Sequence, residues 1–317
     1  MKHVFVIDPA AFHDQQWRMD ILLDHIGQYF RTQEKPDFST LFSHYPRDAI
    51  KLIQKQADEA EVGDTVRVYA VGGDSIVYDC LNGIAGLPNM ELAIMPHGDA
   101  NDFIRVFGEK NTESFRDIQS LITSDTIPTD IIAVGNNCSI NGCSVGFTPA
   151  VAIKANERKT GTSGGLNRFI AGFWNSLYYI TSLFNQELTA HHYTITIDDT
   201  DYSGNYSMVT AVNSPYFDRK KIPLENSMPD DGMLDVLLFR SVSPLATYWS
   251  ISRYSRGKIP SNCLRVQARK IEIKSEKPVW IQADSELFID TNITFEVVPG
   301  EVQIVAVNNL TYQGLQK

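Results

Sequence analysis

The sequence lacks the long apolar runs that membrane insertion requires. No stretch reaches the roughly eighteen uncharged apolar residues of a membrane span, and the N-terminal MKHVFVIDPAAF is more typical of a short strand than of a signal peptide. Cysteine is also scarce, and Cys80, Cys138, Cys143 and Cys263 fit no metal-binding spacing. We therefore expect a cytoplasmic protein with reduced thiols, whose membrane contact is only peripheral and transient.

Basic charge is in short supply as well. The 317 residues include 28 Lys and Arg against 38 Asp and Glu, which gives a net charge of -10 and a pI of about 5.2. This balance argues against non-specific nucleic-acid binding, which needs a broad basic face. Two basic clusters stand out, Arg219-Lys220-Lys221 and residues 253–258, and they are either contacts for anionic lipid headgroups or solvated loops.

The residues that are present follow two patterns. Up to about residue 126, strand-like runs such as HVFVI, TVRVYAV and ELAIMP alternate with helical segments, which predicts a parallel sheet with helices on both faces. From Ile127, short runs such as HYTITID, YSMVTAVN and LDVLLFR predict an antiparallel sandwich. We predict an α/β plus β fold. Its N-terminal doubly wound α/β domain comprises residues 1–126 and about 300–317, and its larger C-terminal β-sandwich domain comprises residues 127–299.

One long helical segment, about Leu166 to Phe184, interrupts the strand-like pattern of the second domain. Large apolar side chains recur on one of its faces at helical spacing. These residues are Phe169, Phe173, Leu177 and Ile180. The segment is either a helix that covers the sandwich core or one wall of an acyl-chain pocket.

Two loops that combine glycine with acidic residues follow two adjacent strands. Gly72-Gly73-Asp74 ends the run VYAV, and PHGDAND, residues 96–102, ends the next strand. Glycines allow a tight turn whose N–H groups approach phosphate oxygens, and an acid beside them can accept a proton or orient a metal. Because ligands bind at the carboxyl ends of parallel strands, both loops are expected at one sheet edge. The alternative is an ordinary turn in which Asp74 caps the following helix.

These loops resemble the motifs of the diacylglycerol kinase catalytic family, soluble lipid kinases that include sphingosine and ceramide kinases. The similar elements occur in the family's order between Val4 and about Val307. They are Gly72-Gly73-Asp74, Asn82-Gly83, Pro96, Gly98, Asn101-Asp102-Phe103, Arg105, Val145-Gly146-Phe147, Asp231-Gly232-Met233-Leu234-Asp235-Val236 and Asp284-Ser285-Glu286.

The resemblance implies an ATP-dependent kinase that phosphorylates the hydroxyl of diacylglycerol or a related lipid at a membrane surface. Asp74 is then the general base or its orienting partner, and Glu286 activates the hydroxyl or holds Mg²⁺. The implied nucleotide-binding residues are Gly72, Gly73, Ser75, Gly98, Asp99, Asn101 and Asp102. A structural Mg²⁺ site is implied at the Asp231 carboxylate and the backbone carbonyls of Met228 and Met233. The alternative for Asp231-Gly232 is an ordinary turn before the strand LDVLLFR.

The chain departs from the family pattern mainly in the loops that face the nucleotide. Ser75-Ile76 replaces Gly-Thr, Asp99 replaces a threonine, and Ser285 replaces a glycine. A catalytically weakened homologue that binds a nucleotide or lipid for regulation is therefore an alternative, and a different phosphoryl acceptor is another. NAD kinases have a related fold and a Gly-Gly-Asp loop, but PHGDANDFIR argues against them. The sequence predicts no particular oligomeric state.

Overall fold

The N-terminal part of the chain forms a parallel sheet. The computed structural model describes residues 1–13, 15–33, 37–60, 63–97, 101–150, 182, 190–222, 224, 227–254 and 256–313. The first four strands are β1 (Lys2–Ile7), β2 (Phe38–Phe42), β3 (Val66–Gly72) and β4 (Met90–Pro96). They pair in parallel in the order β2-β1-β3-β4. Strand β3 is buried along its whole length, and its apolar run is interrupted only by Arg67, which pairs with Glu91 at 2.7 Å.

Helices cover this sheet. They are α1 (Gln16–Arg31), α2 (Asp48–Asp58), α3 (Asp74–Ile84) and α4 (Ile118–Thr123). Short 3-10 helices span Pro9–Phe12, Phe103–Phe107, Glu109–Arg116 and Val307–Asn309. In α1 the buried residues Met19, Leu22, Ile26 and Phe30 recur every three or four positions, so one face packs on the sheet.

The C-terminal part is built mainly from antiparallel strands and one described helix of some length. The strands are β5 (Thr126–Val134), β6 (Asn137–Ser139), β7 (Gly142–Gly146), β8 (His191–Ile197), β9 (Thr200–Asp201), β10 (Gly204–Val212), β11 (Tyr216–Phe217), β12 (Lys220–Lys221), β13 (Leu234–Arg240), β14 (Cys263–Ala268), β15 (Lys270–Ala283) and β16 (Glu286–Val305). The helix is α5 (Pro244–Tyr254). The predicted α/β plus β architecture is confirmed.

Strand β16 joins the two layers. Its first part pairs antiparallel with β15, and near its end Gln303 and Ile304 pair in parallel with β4. The change follows a register shift against β5 between Val298 and Val302. The last residues of β16 therefore extend the N-terminal sheet. The predicted domain boundaries remain a prediction, since hydrogen bonding through β16 is continuous.

The two largest of three apolar cores lie on either side of this junction. One is formed by β1, β3, β4 and the helices that cover them, and the other by the inward side chains of the sandwich strands. Apart from Ser182, the predicted aromatic helix between Leu166 and Phe184 lies outside the described residues. Among the helices of the described ranges, none combines the length and the hydropathy needed to cross a bilayer.

Candidate functional site

The site is organised by Gly72 at the end of β3. Its φ is +157°, and a Cβ added there would lie 2.7 Å from Ile76 Cγ2 and 3.1 Å from Asp8 Cβ. Its carbonyl accepts a hydrogen bond of 2.9 Å from the N–H of His97, which follows β4. Only glycine allows the ends of β1, β3 and β4 to approach this closely.

Helix α3 begins immediately after this turn. Gly73 is its N-cap residue and has no side chain to cap the first-turn N–H groups. The next two residues are the half-buried Asp74 and the exposed Ser75. An uncapped helix start carries partial positive charge and N–H donors, which together favour a bound anion such as phosphate.

Asp74 and Asp102 connect the two loops that were predicted to lie at one edge of the sheet. The N–H of Asp102 donates to Asp74 Oδ1 at 2.8 Å. Burial raises the pKa of Asp74 to about 7, aided by the charges of Asp102 and Asp284 and opposed by the Asp102 N–H and by Arg219. A carboxylate with a pKa near neutrality is suited to accept a proton from a substrate hydroxyl.

Asp102 is buried and is held from two further directions. Its Oδ2 accepts the N–H of Arg219 at 2.7 Å, and its Oδ1 lies 3.4 Å from Arg105 Nη1. Arg219 belongs to the turn between β11 and β12, where Asp218 and Arg219 both have positive φ values. This two-residue hairpin geometry turns the Arg219 N–H toward the site. The guanidinium of Arg105 also lies over the Tyr216 ring at 4.3 Å.

The turn between β15 and β16 carries Asp284 and Glu286. Asp284 is buried and accepts three backbone N–H groups, from Ile140 at 2.8 Å, Asn141 at 3.0 Å and Gly142 at 3.1 Å. These bonds fix the turn and thereby the position of the half-buried Glu286. Burial raises the pKa of Glu286, and Arg47 opposes the rise.

Asp79 on α3 belongs to the surroundings of Glu286. Its Oδ2 accepts the N–H of Arg47 at 2.8 Å. Burial raises the pKa of Asp79 to about 6. The hydrogen bond from the Arg47 N–H opposes this rise, and the charge of Glu286 adds to it. The two carboxylates therefore share one electrostatic environment, and a divalent cation with oxygen ligands would relieve it.

A cavity of about 420 Å³ lies at the carboxyl ends of β1, β2 and β3. Its size is in the range of small-molecule sites. Its lining residues are Asp8, Pro9, Ala10, Ser43, His44, Tyr45, Pro46, Ser75, Ile76, Asp79 and Glu286. The cavity brings the predicted residues Ser75 and Glu286 together, whereas Asp74 is not among its lining residues. The contributions of His44 and Tyr45 were missed, although the rule that places ligands at strand ends applies to β2 as well.

His97 lies in a different cavity, of about 560 Å³, beside α1. Its ring stacks on Phe12 with centroids 4.9 Å apart. Burial lowers its pKa to about 4, and Arg116 and Arg18 lower it further. His97 is therefore neutral near pH 7 and is separated from the cavity that Ser75 lines.

The remaining nucleotide-loop residues are only partly described. Gly98 and Asp99 lie outside the described residues. Asn101 is described, and its buried side-chain oxygen has no hydrogen-bond partner among the described residues. A buried acceptor without a partner costs free energy unless a ligand or water satisfies it. Asn101 thus carries a feature of a ligand contact, while its role stays a prediction.

The predicted structural metal site lies at the turn before β13. Asp231 Oδ1 accepts the N–H of Met233 at 2.9 Å, and Met228 packs partly buried on the N-terminal core. Burial raises the pKa of Asp231 to about 6, with contributions from Asp235, Asp130 and Asp230. Carboxylate and carbonyl oxygens are ligands that suit Mg²⁺.

Neighbouring hydrogen bonds hold the same turn. Asp130 accepts the N–H groups of Gly232 at 2.7 Å and Gly300 at 2.8 Å. Within the described part of the chain, no three His, Cys, Asp or Glu side chains are grouped to hold a metal. The donor set expected from Asp231, Met228 and Met233 contains only one such side chain, together with two backbone carbonyls. This site therefore stays a prediction.

Two family models match the chain. Residues 3–134 match the diacylglycerol kinase catalytic domain, and residues 171–306 match the YegS C-terminal NAD kinase beta sandwich-like domain. These ranges cover the N-terminal sheet with its loops and most of the sandwich. The two kinds of domain occur in the order that the sequence predicts.

Whole-chain relatives agree with these models. A protein of Staphylococcus aureus strain bovine RF122 / ET3-1, named "putative lipid kinase", is 25% identical over 269 residues, which cover 83% of this chain and 84% of the relative. Two solved structures from Bacillus anthracis strain Sterne, described as diacylglycerol kinases ("putative" in one case), cover 98% of both chains. Their TM-scores are 0.71 and 0.68 at 21% and 20% identity. The structural likeness shows a shared fold.

Proposed function

Residues 3–134 of the chain match the diacylglycerol kinase catalytic domain, and from this premise we propose that the chain transfers the γ-phosphoryl group of ATP to the hydroxyl of diacylglycerol or a related lipid. The observation that carries the proposal is the position of Asp74, whose carboxylate the Asp102 N–H holds at 2.8 Å beside the uncapped start of α3; its raised pKa, about 7, supports it. Together they provide a proton acceptor next to a place for phosphate.

The nucleotide occupies the cavity of about 420 Å³. Its phosphates lie against the first-turn N–H groups of α3 and the hydroxyl of Ser75, since these donors face the cavity end of the helix. Glu286, with Asp79 beside it, would hold the Mg²⁺ that accompanies ATP. When bound, Mg²⁺ supplies charge neutralisation for the phosphate oxygens.

The chemical step is a displacement at the γ-phosphorus. The lipid hydroxyl oxygen forms a bond to phosphorus, the bond from phosphorus to the bridging β–γ oxygen breaks, and ADP leaves. Asp74 accepts the hydroxyl proton, and the N–H of Asp102 keeps its carboxylate in position. Positioning and charge stabilisation dominate such transfers, so a fixed base and a helix start are the main requirements.

One observation favours the second candidate, a weakened homologue that binds a nucleotide or lipid for regulation. Three carboxylates line the cavity, those of Asp8, Asp79 and Glu286, and no Lys or Arg is among its described lining residues. Without a cation, these carboxylates would repel a polyphosphate. Strict dependence of nucleotide binding on Mg²⁺ is therefore expected.

The experiment is the melting temperature of the purified chain with ATP, ADP or GTP, each with and without Mg²⁺. Binding to the native state raises it. We expect ATP and Mg²⁺ together to raise the melting temperature of the parent. Ser75→Asp should lose this rise, because a negative charge at the start of α3 repels phosphate. The matched control Ser261→Asp, at an exposed serine of the sandwich, should keep it. No shift at millimolar ATP would overturn the kinase proposal, and an undiminished shift in Ser75→Asp would overturn the position of the phosphates.

A further inference from the structure

A long segment of this acidic chain contains no acid. Between Asp235 and Glu272 the sequence has no Asp or Glu, although the chain as a whole carries a net charge of -10. The Lys and Arg residues of this segment are Arg240, Arg253, Arg256, Lys258, Arg265, Arg269 and Lys270. The segment includes α5 and the loop that follows it, so a local positive field is expected there.

Helix α5 has an apolar outer face. Leu245 is 68% exposed, Tyr248 39% and Trp249 54%. Their spacing places them along one side of the helix, and the rings of Tyr248 and Trp249 contact each other with centroids 5.6 Å apart. The opposite side packs on the protein through the buried Thr247 and Tyr254. Three large apolar side chains on one exposed stripe indicate an interaction surface.

The cations at the end of α5 have no acidic partners in the described part of the chain. Arg253, Arg256 and Lys258 are exposed, and none of them forms an ion pair with a described residue; Arg256 instead bonds Ser252 at 2.6 Å. By contrast, Arg265 pairs with Asp235 and Lys270 with Glu272. Three positive charges therefore remain available next to the apolar stripe.

This surface is connected to the phosphoryl-transfer site. A Cβ on Gly257, in the loop after α5, would lie 3.3 Å from the carbonyl oxygen of Lys221 in β12. The turn that precedes β12 donates the Arg219 N–H to Asp102, whose own N–H donates to Asp74. A short chain of backbone contacts thus leads from the basic loop to the proton acceptor.

We propose that α5 and residues 256–258, here named the α5 surface, dock the protein on an anionic phospholipid bilayer; the inference rests on the proposed lipid-kinase function. Leu245, Tyr248 and Trp249 enter the interfacial layer, where aromatic rings with a polar edge are favoured. Arg253, Arg256 and Lys258 contact the headgroups. The occupant is a bilayer because the surface combines a charge-free apolar stripe with adjacent cations that pair with no acid among the described residues, which matches an apolar interior under an anionic layer.

The experiment is sedimentation of the full chain with vesicles of phosphatidylcholine alone, or of equal parts phosphatidylcholine and phosphatidylglycerol, at low and high salt. We expect binding to the anionic vesicles that weakens with salt. Arg253→Gln/Arg256→Gln/Lys258→Gln should weaken it roughly 100-fold, because each cation contributes about a factor of five near such a surface. Tyr248→Ser/Trp249→Ser should weaken it as well.

Matched controls separate the α5 surface from general charge and exposure. Arg31→Gln/Lys51→Gln/Lys274→Gln removes three exposed cations elsewhere, and Trp17→Ser removes an aromatic side chain of α1 that is 58% exposed; both variants should bind as the parent does. The proposal would be overturned if the parent does not bind the vesicles, or if neither α5 variant weakens the binding. It would also be overturned if the surface captures a protein instead of a bilayer. The ATP-induced rise in melting temperature, measured without lipid, shows separately whether the kinase proposal fails.

Discussion

The backbone N–H of Asp102 donates a 2.8 Å hydrogen bond to the carboxylate of Asp74, although the carboxylate of Asp102 itself raises the pKa of Asp74. One residue thus both fixes the orientation of the proton acceptor and makes it more basic. The N–H of Arg219 holds Asp102 in turn, so the hairpin of the second layer helps to position the base at the edge of the first.

The first prediction concerns Asp74→Asn. The variant should lose activity by roughly 100- to 10,000-fold, the usual contribution of a general base. It should also melt at a higher temperature than the parent at about pH 8. The pKa of Asp74 in the folded protein, about 7, lies well above its ordinary value of 3.8, so ionised Asp74 destabilises the fold by about 4 kcal/mol once pH exceeds the folded pKa.

The sign of this effect of Asp74 on stability can be checked by scanning fluorimetry at two pH values. Below the unfolded pKa, Asp74 is protonated in both states and contributes nothing, so the advantage of Asn should shrink toward pH 4 and grow through pH 7. Asn retains an oxygen that can accept the Asp102 N–H. A variant that melts below the parent at about pH 8 would contradict the burial argument, and full activity would contradict the role.

The second prediction is a pH–rate profile. Turnover should rise with pH as Asp74 loses its proton, with a midpoint near its pKa of about 7. Asp102→Asn removes one negative charge beside Asp74, so the midpoint should move to lower pH. Steady-state rates across pH at saturating substrate measure both. A midpoint that stays in place or moves upward in Asp102→Asn would show that another group controls the profile.

The third prediction tests the close approach at Gly72. In Gly72→Ala the new Cβ meets Ile76 Cγ2 at 2.7 Å and Asp8 Cβ at 3.1 Å. We expect a loss of about 1–3 kcal/mol in the free energy of unfolding, measured by urea titration, together with loss of nucleotide binding. Gly86→Ala is the control, since Gly86 also has positive φ but nothing within 4 Å of an added Cβ. Equal losses in the two variants would mean that backbone strain, not crowding, explains Gly72.

The fourth prediction concerns the Mg²⁺ site at Asp231. Mg²⁺ without nucleotide should raise the melting temperature of the parent, because a bound cation neutralises the Asp231 carboxylate, whose pKa burial and the neighbouring acids raise to about 6. Asp231→Asn should abolish that rise, whereas Asp58→Asn, an exposed carboxylate of α2, should keep it. A rise of the same size in Asp231→Asn would remove this residue from the site.

The sequence predicts the first layer well because its signals are local. Glycine at position 72, an acid at 74 and a run of apolar residues before them indicate a strand, a tight turn and a helix start in sequence order. Residues that follow neighbouring parallel strands meet at one edge, so the proximity of Asp74 and Asp102 follows from topology. The fold assignment is confirmed for the same reason.

Long-range contacts have no such signal. Asp130 bonds the N–H of Gly300, a separation of 170 residues, and no periodicity indicates that pairing. The turn at Asp218 and Arg219 has positive φ at two non-glycine residues, whereas hairpin prediction depends on Asn-Gly or Asp-Gly. The Arg219 contact with Asp102, and with it the connection between the two layers, could therefore be recognised only in three dimensions.

The most direct test of the central claim is transfer of labelled phosphate from [γ-³²P]ATP to diacylglycerol dispersed in anionic vesicles, with Mg²⁺, followed by extraction of the lipid. We predict label in the lipid fraction with the parent chain and almost none with Asp74→Asn, whose folded state is verified by its melting temperature. The account would be contradicted if Asp74→Asn labels the lipid fraction as strongly as the parent does. It would also be contradicted if the parent binds ATP but labels neither diacylglycerol nor any lipid of a total extract.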